Sequence, residues 1–132
     1  MNNVHYLLDT NIFIYHTKGE PEILSFLELL SFNGEMNISI ITKIEFLGWN
    51  KHTPDGLEKC KCLIRNTRIF PVNEDVADRA IEIRQGKKIK LPDAVIAATA
   101  LLNNLTLATR NVDDFKDVEG LLIHNPFQKN LL

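Results

Sequence analysis

The sequence has little of what marks a secreted, membrane-bound or zinc-binding protein. It contains two cysteines in 132 residues, no apolar run that approaches the length of a membrane span, and no basic amino-terminal segment leading into an apolar stretch. Cys60 and Cys62 are two positions apart in a predicted helix, so they lie on different faces and cannot form a normal disulfide. We therefore expect a protein of the reducing cytoplasm that has no disulfide framework and no membrane segment.

An excess of positive charge and a cluster of histidines are missing as well. The formal net charge is -2, which excludes a globally basic nucleic-acid binder, so affinity for phosphates must come from a local patch or a bound metal. The four histidines are scattered along the chain, and none stands at ligand spacing with another. A histidine base or a zinc centre is not expected.

Short apolar runs alternate with amphipathic stretches along the whole chain. Strands are predicted at residues 4–8, 37–41, 68–72, 105–109 and 121–124. Helices are predicted between them, with Thr53 and Asn73 as caps, and the helix at 91–102 is apolar nearly all round and should be buried. Strands that alternate with helices predict an α/β fold with a parallel sheet covered on both faces. No repeat or linker divides the chain, so residues 1–132 are expected to form a single domain.

Four acidic residues occupy corresponding places in this pattern. Asp9 directly follows the first strand, Glu45 comes just after the second, Asp93 opens the apolar helix, and Asp114 follows the fourth strand. In a parallel sheet these positions share one edge, so the four carboxylates should converge. Crowded carboxylates repel one another unless a divalent cation offsets their charge, and oxygen ligands without cysteine or histidine favour Mg²⁺ or Mn²⁺.

Each acid also has a structural explanation when it is taken alone. Asp9 suits the cap of a following turn or helix, residues 42–45 fit the S/T-x-x-E capping box, and Asp93 suits a first helical turn. Asp113 and Asp114 suit a solvated turn. Capping does not explain why one carboxylate should end a buried strand while another opens a helix that is apolar all round. The joint pattern therefore favours a metal site.

Polar, basic and aromatic residues flank these acids. Four polar residues are candidates to hold the carboxylates or metal-bound waters by hydrogen bonds, although turn chemistry explains them nearly as well: Thr10, Asn11, Thr109 and Asn111. Three lysines precede Asp93 and would place cations beside a phosphate-cleaving site, although such a run is usually a solvated loop: Lys87, Lys88 and Lys90. Phe46 and Trp49 share the predicted Glu45 helix, where core packing explains them better than base stacking.

Four motifs in order resemble those of the PIN-domain ribonucleases, and within them most closely the VapC toxins of bacterial toxin-antitoxin pairs. The resemblance runs from residue 4 to about residue 126, and the motifs are Leu-Leu-Asp9-Thr-Asn, Ile-Thr-Lys-Ile-Glu45, Lys-Leu-Pro-Asp93-Ala and Ala-Thr-Arg-Asn111-Val-Asp-Asp114-Phe. It implies a three-layer α/β/α sandwich with strand order 3-2-1-4-5. It also implies metal-dependent cleavage of RNA, inhibition by a cognate antitoxin, and a homodimer.

The resemblance assigns the site residue by residue. Asp9, Glu45 and Asp93 match the family's acids directly. Family members place the fourth carboxylate at the position of Asn111 or of Asp114; because Asn111 is an amide, Asp114 is assigned, with Asp113 as its rival. Arg110 joins the three lysines as a candidate for RNA binding. The alternative is a non-catalytic RNA- or protein-binding module that keeps this fold and uses its acids as caps.

Overall fold

The computed structural model describes residues 4–128, and the strands of that segment form one five-stranded, entirely parallel sheet. The strands are β1 (Tyr6–Leu8), β2 (Met36–Ser39), β3 (Arg68–Phe70), β4 (Thr106–Ala108) and β5 (Ile123–His124). Their order is β3-β2-β1-β4-β5, so the predicted order 3-2-1-4-5 is confirmed. The first strand is central, and it pairs with β2 on one side and with β4 on the other.

Helices connect the strands and complete the alternating pattern. They are α1 (Thr10–Thr17), α2 (Pro21–Phe32), α3 (Ile40–Leu47), α4 (Pro54–Arg65), α5 (Glu74–Gly86), α6 (Leu91–Leu102) and α7 (Val112–Phe115). The predicted caps of α4 and α5 are confirmed, since Thr53 accepts a hydrogen bond from Gly56 N and Asn73 accepts one from Val76 N. Helix α1 begins one residue after Asp9, within an apolar stretch for which the sequence pattern predicted no element.

The strands were predicted too long, and the start of α3 was predicted wrongly. Strand β2 ends at Ser39, whose side chain accepts a hydrogen bond from Ile41 N and so caps α3. Thr42 is therefore an interior residue of that helix, and the capping box at residues 42–45 is wrong. The isoleucines on both sides of Ser39 hide the boundary, because β-branched residues suit a buried strand and a buried helical turn alike.

The core consists of an apolar layer on each face of the sheet. Leu7 and Leu8 are adjacent in β1 and both fully buried, but they point to opposite faces, as the two-residue period of a strand requires. Leu8 packs among side chains of α1, α2, α3 and α4, and Leu7 packs with the other layer, which includes α6. This is the predicted three-layer α/β/α arrangement.

Helix α6 is buried as its composition predicts. Every residue from Ala94 to Ala100 is buried, and the small alanines allow α5 to pack closely through Val76 and Ala80. The predicted placement of the two cysteines on different faces of one helix is confirmed, because both lie in α4, with Cys60 buried and Cys62 exposed. None of the helices in the described part of the chain is long and apolar enough to cross a membrane.

Candidate active site

The candidate site lies where β1 and β4 end side by side. Asp9 follows β1 and Thr109 follows β4, and the two strands stay connected at this point because Asp9 N donates to the carbonyl of Ala108 at 3.0 Å. The carboxyl ends of adjacent parallel strands thus bring together residues 100 positions apart in sequence.

Asp9 is the most constrained carboxylate of the site. Its side chain is 4% exposed; Oδ2 accepts a hydrogen bond from Thr109 Oγ1 at 2.8 Å, and Oδ1 accepts one from Thr10 N at 2.8 Å. The pKa of Asp9 is raised to about 6, mainly by burial; the negative charges of Asp93 and Glu45 act in the same direction, and the two hydrogen bonds act in the opposite direction. Asp9 also stands at the N-cap of α1, so the capping explanation and the site explanation hold for the same side chain.

Glu45 reaches the site from the exposed side of α3. Its Oε1 accepts a hydrogen bond from Thr10 Oγ1 at 2.7 Å, and Thr10 Oγ1 lies 3.2 Å from the hydroxyl of Thr42, which is fully buried. A hydroxyl has one proton to donate, so when Thr10 donates to Glu45 the second contact is completed by the proton of Thr42. Thr42 was not predicted as a site residue, although its position three residues before Glu45 places both on one face of the helix.

Asp93 lies in the first turn of α6 and is half-buried. Burial raises its pKa, the charges of Asp114 and Glu45 raise it further, and the positive charge of Lys90 lowers it. The pKa values of Asp9 and Asp93 together show that all four predicted acids interact electrostatically. The four acids thus lie near enough to influence one another, and their convergence into one metal site stays a prediction.

Asp113 and Asp114 differ in their surroundings, although they are neighbours in α7. The Asp113 side chain is 92% exposed and forms an ion pair with Lys116 at 3.4 Å. Asp114 is the one whose charge acts on Asp93, which favours it as the fourth acid. Both belong to a short helix rather than to the predicted solvated turn. Asp117, which the sequence analysis did not select, lines the same cavity as both of them.

The predicted supporting residues differ in what they contact. Thr10 and Thr109 hold Glu45 and Asp9 by their hydroxyl groups, as proposed for them. Asn111 contributes through its backbone, since its N–H donates to Thr109 Oγ1 at 3.0 Å and its side chain makes no capping hydrogen bond to α7. Asn11 is half-buried in the first turn of α1.

A cavity of about 810 Å³ opens beside Asp93 and carries charges of both signs. Four cations line it, namely Arg84 and the predicted Lys87, Lys88 and Lys90. Four acids line it as well: Asp93, Asp113, Asp114 and Asp117. Arg110 is exposed, but its guanidinium lies 4.3 Å from the ring centroid of Phe127 and 5.1 Å from that of Tyr15. Arg110 is therefore already engaged in cation–π contacts, in addition to being a candidate for RNA binding.

The chemistry of these donors fits a hard divalent cation. Carboxylate oxygens dominate the edge. Burial is the main cause of the raised pKa values of Asp9 and Asp93, and repulsion between the carboxylates adds to it; a cation would relieve that repulsion. Within residues 4–128, however, no three His, Cys, Asp or Glu side chains stand close enough together to form a ready-made ion site. The side chains would therefore have to draw together around a cation.

Known proteins resemble this chain over nearly its whole length. The PIN domain family model matches residues 6–121. Ribonuclease VapC10 of Mycobacterium tuberculosis is 32% identical over 120 residues, which cover 87% of this chain and 89% of that protein. The tRNA(fMet)-specific endonuclease VapC of Shigella flexneri is 32% identical over 132 residues, covering 88% and 93%.

A solved structure agrees with these relatives. A chain of a toxin-antitoxin complex from Klebsiella pneumoniae superimposes with a TM-score of 0.79 at 34% identity, and the match covers 94% of this chain and 99% of that one. The expected resemblance is thus confirmed by sequence and by fold. This chain belongs to the PIN-domain family, and its curated relatives within that family are VapC ribonucleases.

Proposed function

We propose that this protein is an Mg²⁺- or Mn²⁺-dependent endoribonuclease that acts as the toxin of a toxin-antitoxin pair. The observation that carries the proposal is the group of interacting carboxylates around the buried Asp9, in a chain of the PIN-domain family whose relatives are named ribonucleases. Asp9, Glu45, Asp93 and Asp114 are proposed to hold the cation. When bound, the cation supplies a water activated for attack on a phosphodiester and stabilisation of charge on the leaving oxygen.

The protein's own groups set the geometry for this chemistry. Thr109 and Thr10 N each donate to one oxygen of Asp9, which leaves the other lone pairs of that carboxylate free to face the site. Thr10 Oγ1 orients Glu45 in the same way from the neighbouring helix. These donors fix the directions of the carboxylates, which is the usual role of groups that support metal ligands. No protein nucleophile is required.

The substrate is proposed to be RNA whose backbone follows the basic side of the larger cavity. Arg84 and the three lysines lie beside Asp93 in a chain of net charge -2, so the positive charge is local. A phosphate held there would lie next to the carboxylates where cleavage is proposed. Arg110 has a smaller proposed role, because its guanidinium already packs on Phe127 and Tyr15.

An antitoxin is the proposed protein partner. The Klebsiella pneumoniae neighbour was solved as a toxin-antitoxin complex, which supports an equivalent partner for this chain. Because crowded carboxylates attract cations, an arginine or lysine of that partner would displace metal and pair with Asp9, Glu45 or Asp93. Inhibition would then be partly competitive with metal.

A cytoplasmic location is proposed as well. The proposed toxin function and the two free cysteines support it.

A homodimer is also proposed. Ile44, Ile81 and Leu91 are 62%, 54% and 56% exposed, and they belong to helices α3, α5 and α6, which pack beside one another. Large exposed apolar side chains on neighbouring helices favour coverage by another protein surface. Sedimentation of the purified chain at micromolar concentration tests this, and a monomer at all concentrations would contradict it.

The non-catalytic alternative is less well supported. It would be favoured if the acids pointed apart as independent caps, whereas Asp9 and Asp93 each have their pKa raised by other carboxylates. The capping explanation for Glu45 is also removed, since Ser39 caps that helix.

Cleavage of RNA by the purified chain tests the proposal. RNA incubated with the protein and Mg²⁺ or Mn²⁺ should be cut at internal positions, and a chelator should stop the reaction. Sequencing the new ends in cells soon after induction would identify the target RNA. Intact RNA with metal-loaded protein, together with normal growth on strong expression, would contradict the proposal.

A further inference from the structure

A second cavity lies away from the carboxylates, at the opposite end of helix α1 from Thr10. Its volume is about 460 Å³, and it is lined by the end of α1, the loop after α3 and residues of α4. Its main lining residues are Lys18, Trp49, Lys51, His52, Lys59 and Leu63. The eight-residue α1 is about 12 Å long, and Trp49 follows Glu45 by four residues, so a short stretch of polymer would reach from one site to the other.

The rim of this cavity is positively charged and unpaired. Lys18, Lys51 and Lys59 line it, whereas no carboxylate from the described residues does so. None of the three lysines forms an ion pair within residues 4–128. In a chain of net charge -2, three unpaired cations around one cavity indicate a site for an anion.

An aromatic ring is held in place on the same cavity. Trp49 is half-buried and lies outside α3, and its ring meets that of His52 edge-on with centroids 5.1 Å apart. His52 is itself fixed, since Nε2 donates to the carbonyl of Phe46 at 2.6 Å and its ring packs against the Phe46 ring. The carbonyl can only accept, so it assigns the proton to Nε2. Phe46 is fully buried, as core packing predicts, but Trp49 keeps part of its surface available.

We propose that this cavity binds one nucleotide of single-stranded RNA on the substrate strand, outside the cleavage site. The base would stack on Trp49, and the adjoining phosphates would be held by Lys18, Lys51 and Lys59. A fixed aromatic ring surrounded by cations is the combination that binds single-stranded nucleic acid without sequence preference. The choice of RNA rests on the proposed ribonuclease function. An acidic peptide is the competing occupant, and the experiment distinguishes the two.

Trp49 is the only tryptophan of the chain, so its fluorescence reports on this cavity alone. A six-nucleotide single-stranded RNA, titrated in the presence of a chelator so that it stays intact, should quench the fluorescence saturably. Rising salt should weaken the effect. The double variant Lys51→Ala with Lys59→Ala removes one lysine from the loop and one from α4. It should reduce the steepness of log affinity against log salt by about 1.4, or about 0.7 for each lost contact. Lys61→Ala is the matched control, because Lys61 lies on the same helix but pairs with Glu58.

Binding of labelled RNA, followed by anisotropy, tests the role of the ring itself. Trp49→Ala should weaken affinity by about 5- to 100-fold, whereas Trp49→Phe should retain most of it because it keeps a stacking surface. Thermal melts of both variants control for folding. Any one of three results would overturn the inference. These are fluorescence that does not change at saturating RNA, unchanged RNA affinity in Trp49→Ala, and quenching by an acidic peptide but not by RNA.

Cleavage assays with Mg²⁺ keep this inference separate from the proposed function. If RNA is cleaved but the fluorescence of Trp49 does not change on addition of RNA, the subsite is overturned and the ribonuclease proposal stands. Quenching of Trp49 by RNA without any cleavage would support the subsite and contradict the proposed activity.

Discussion

The buried charge of Asp9 gives the site its most direct physical signature. A carboxyl whose pKa rises from 3.8 to about 6 on folding is held more easily in its neutral form. Its contribution to stability is therefore full below pH 3.8 and is lost as the pH rises through about 6. The loss is on the order of 3 kcal/mol, because each pKa unit corresponds to about 1.4 kcal/mol.

We accordingly predict that Asp9→Asn flattens the dependence of stability on pH. In the presence of a chelator, the free energy of unfolding of the unmodified protein should fall between pH 4 and pH 7, and the variant should show a smaller fall because its amide does not ionise. Urea denaturation across this range measures both. Asp113→Asn is the control, since that carboxylate is exposed and paired with Lys116. Equal slopes for Asp9→Asn and the unmodified protein would show that burial does not act on Asp9 as described.

A second prediction concerns the hydroxyl that holds Glu45. Thr10→Val keeps the shape of the side chain but removes the hydrogen bond to Glu45 Oε1, whereas Thr10→Ser retains it. Loss of such a supporting contact is expected to reduce metal affinity or cleavage by about 10- to 100-fold. Cleavage rates at varied Mn²⁺ concentrations measure the effect. Full activity in Thr10→Val, with Thr10→Ser impaired, would contradict the positioning role.

The acidic residues and the threonine that supports them show what a sequence alone can predict. Asp9 and Asp93 were selected because a charge at the end of an apolar strand, or at the start of an apolar helix, conflicts with its apolar surroundings. Thr42 was missed because a threonine three residues before a glutamate has an ordinary capping explanation. Only the structure shows that its hydroxyl is buried against Thr10.

At the scale of elements, strand order and helix placement were predictable, but boundaries were not. Alternating strands and helices restrict a parallel sheet to few arrangements, and the resemblance to the PIN-domain ribonucleases implied the order 3-2-1-4-5. The end of β2 was misplaced because Ile40 and Ile41 continue an apolar run into α3. The start of α3 is set by Ser39, which caps the helix through a local hydrogen bond. A pattern of hydrophobic residues does not reveal such a bond.

The cap of α3 at Ser39 allows a test that distinguishes a helix cap from a functional acid. Ser39→Ala should lower the free energy of unfolding by about 1 kcal/mol, because it removes the hydrogen bond to Ile41 N. Glu45→Gln should change stability by less than about 0.5 kcal/mol, as exposed substitutions usually do, while cleavage falls sharply. Urea denaturation and cleavage assays of both variants measure this. A fully active Glu45→Gln variant, whether or not it is destabilised, would contradict the functional role of Glu45.

At the scale of the whole molecule, a slightly acidic protein is proposed to bind RNA through local positive patches. Changing Lys87, Lys88 and Lys90 together to Ala should weaken RNA binding and flatten its salt dependence by up to about 2 in the slope of log affinity against log salt. The three lysines line the cavity beside Asp93, so the loss should be accompanied by slower cleavage. A salt slope equal to that of the unmodified protein would show that these lysines are solvated loop residues that do not bind RNA.

Direct titration of Mn²⁺ tests whether carboxylates from four distant segments form one cation site. Calorimetry at pH 7 should show saturable binding to the unmodified protein, and Asp93→Asn should abolish most of it while its thermal melt shows that the fold is intact. An amide keeps the shape of the carboxylate but not its charge, so only a role in binding the cation explains that difference. Equal Mn²⁺ affinity in a folded Asp93→Asn variant would contradict the account.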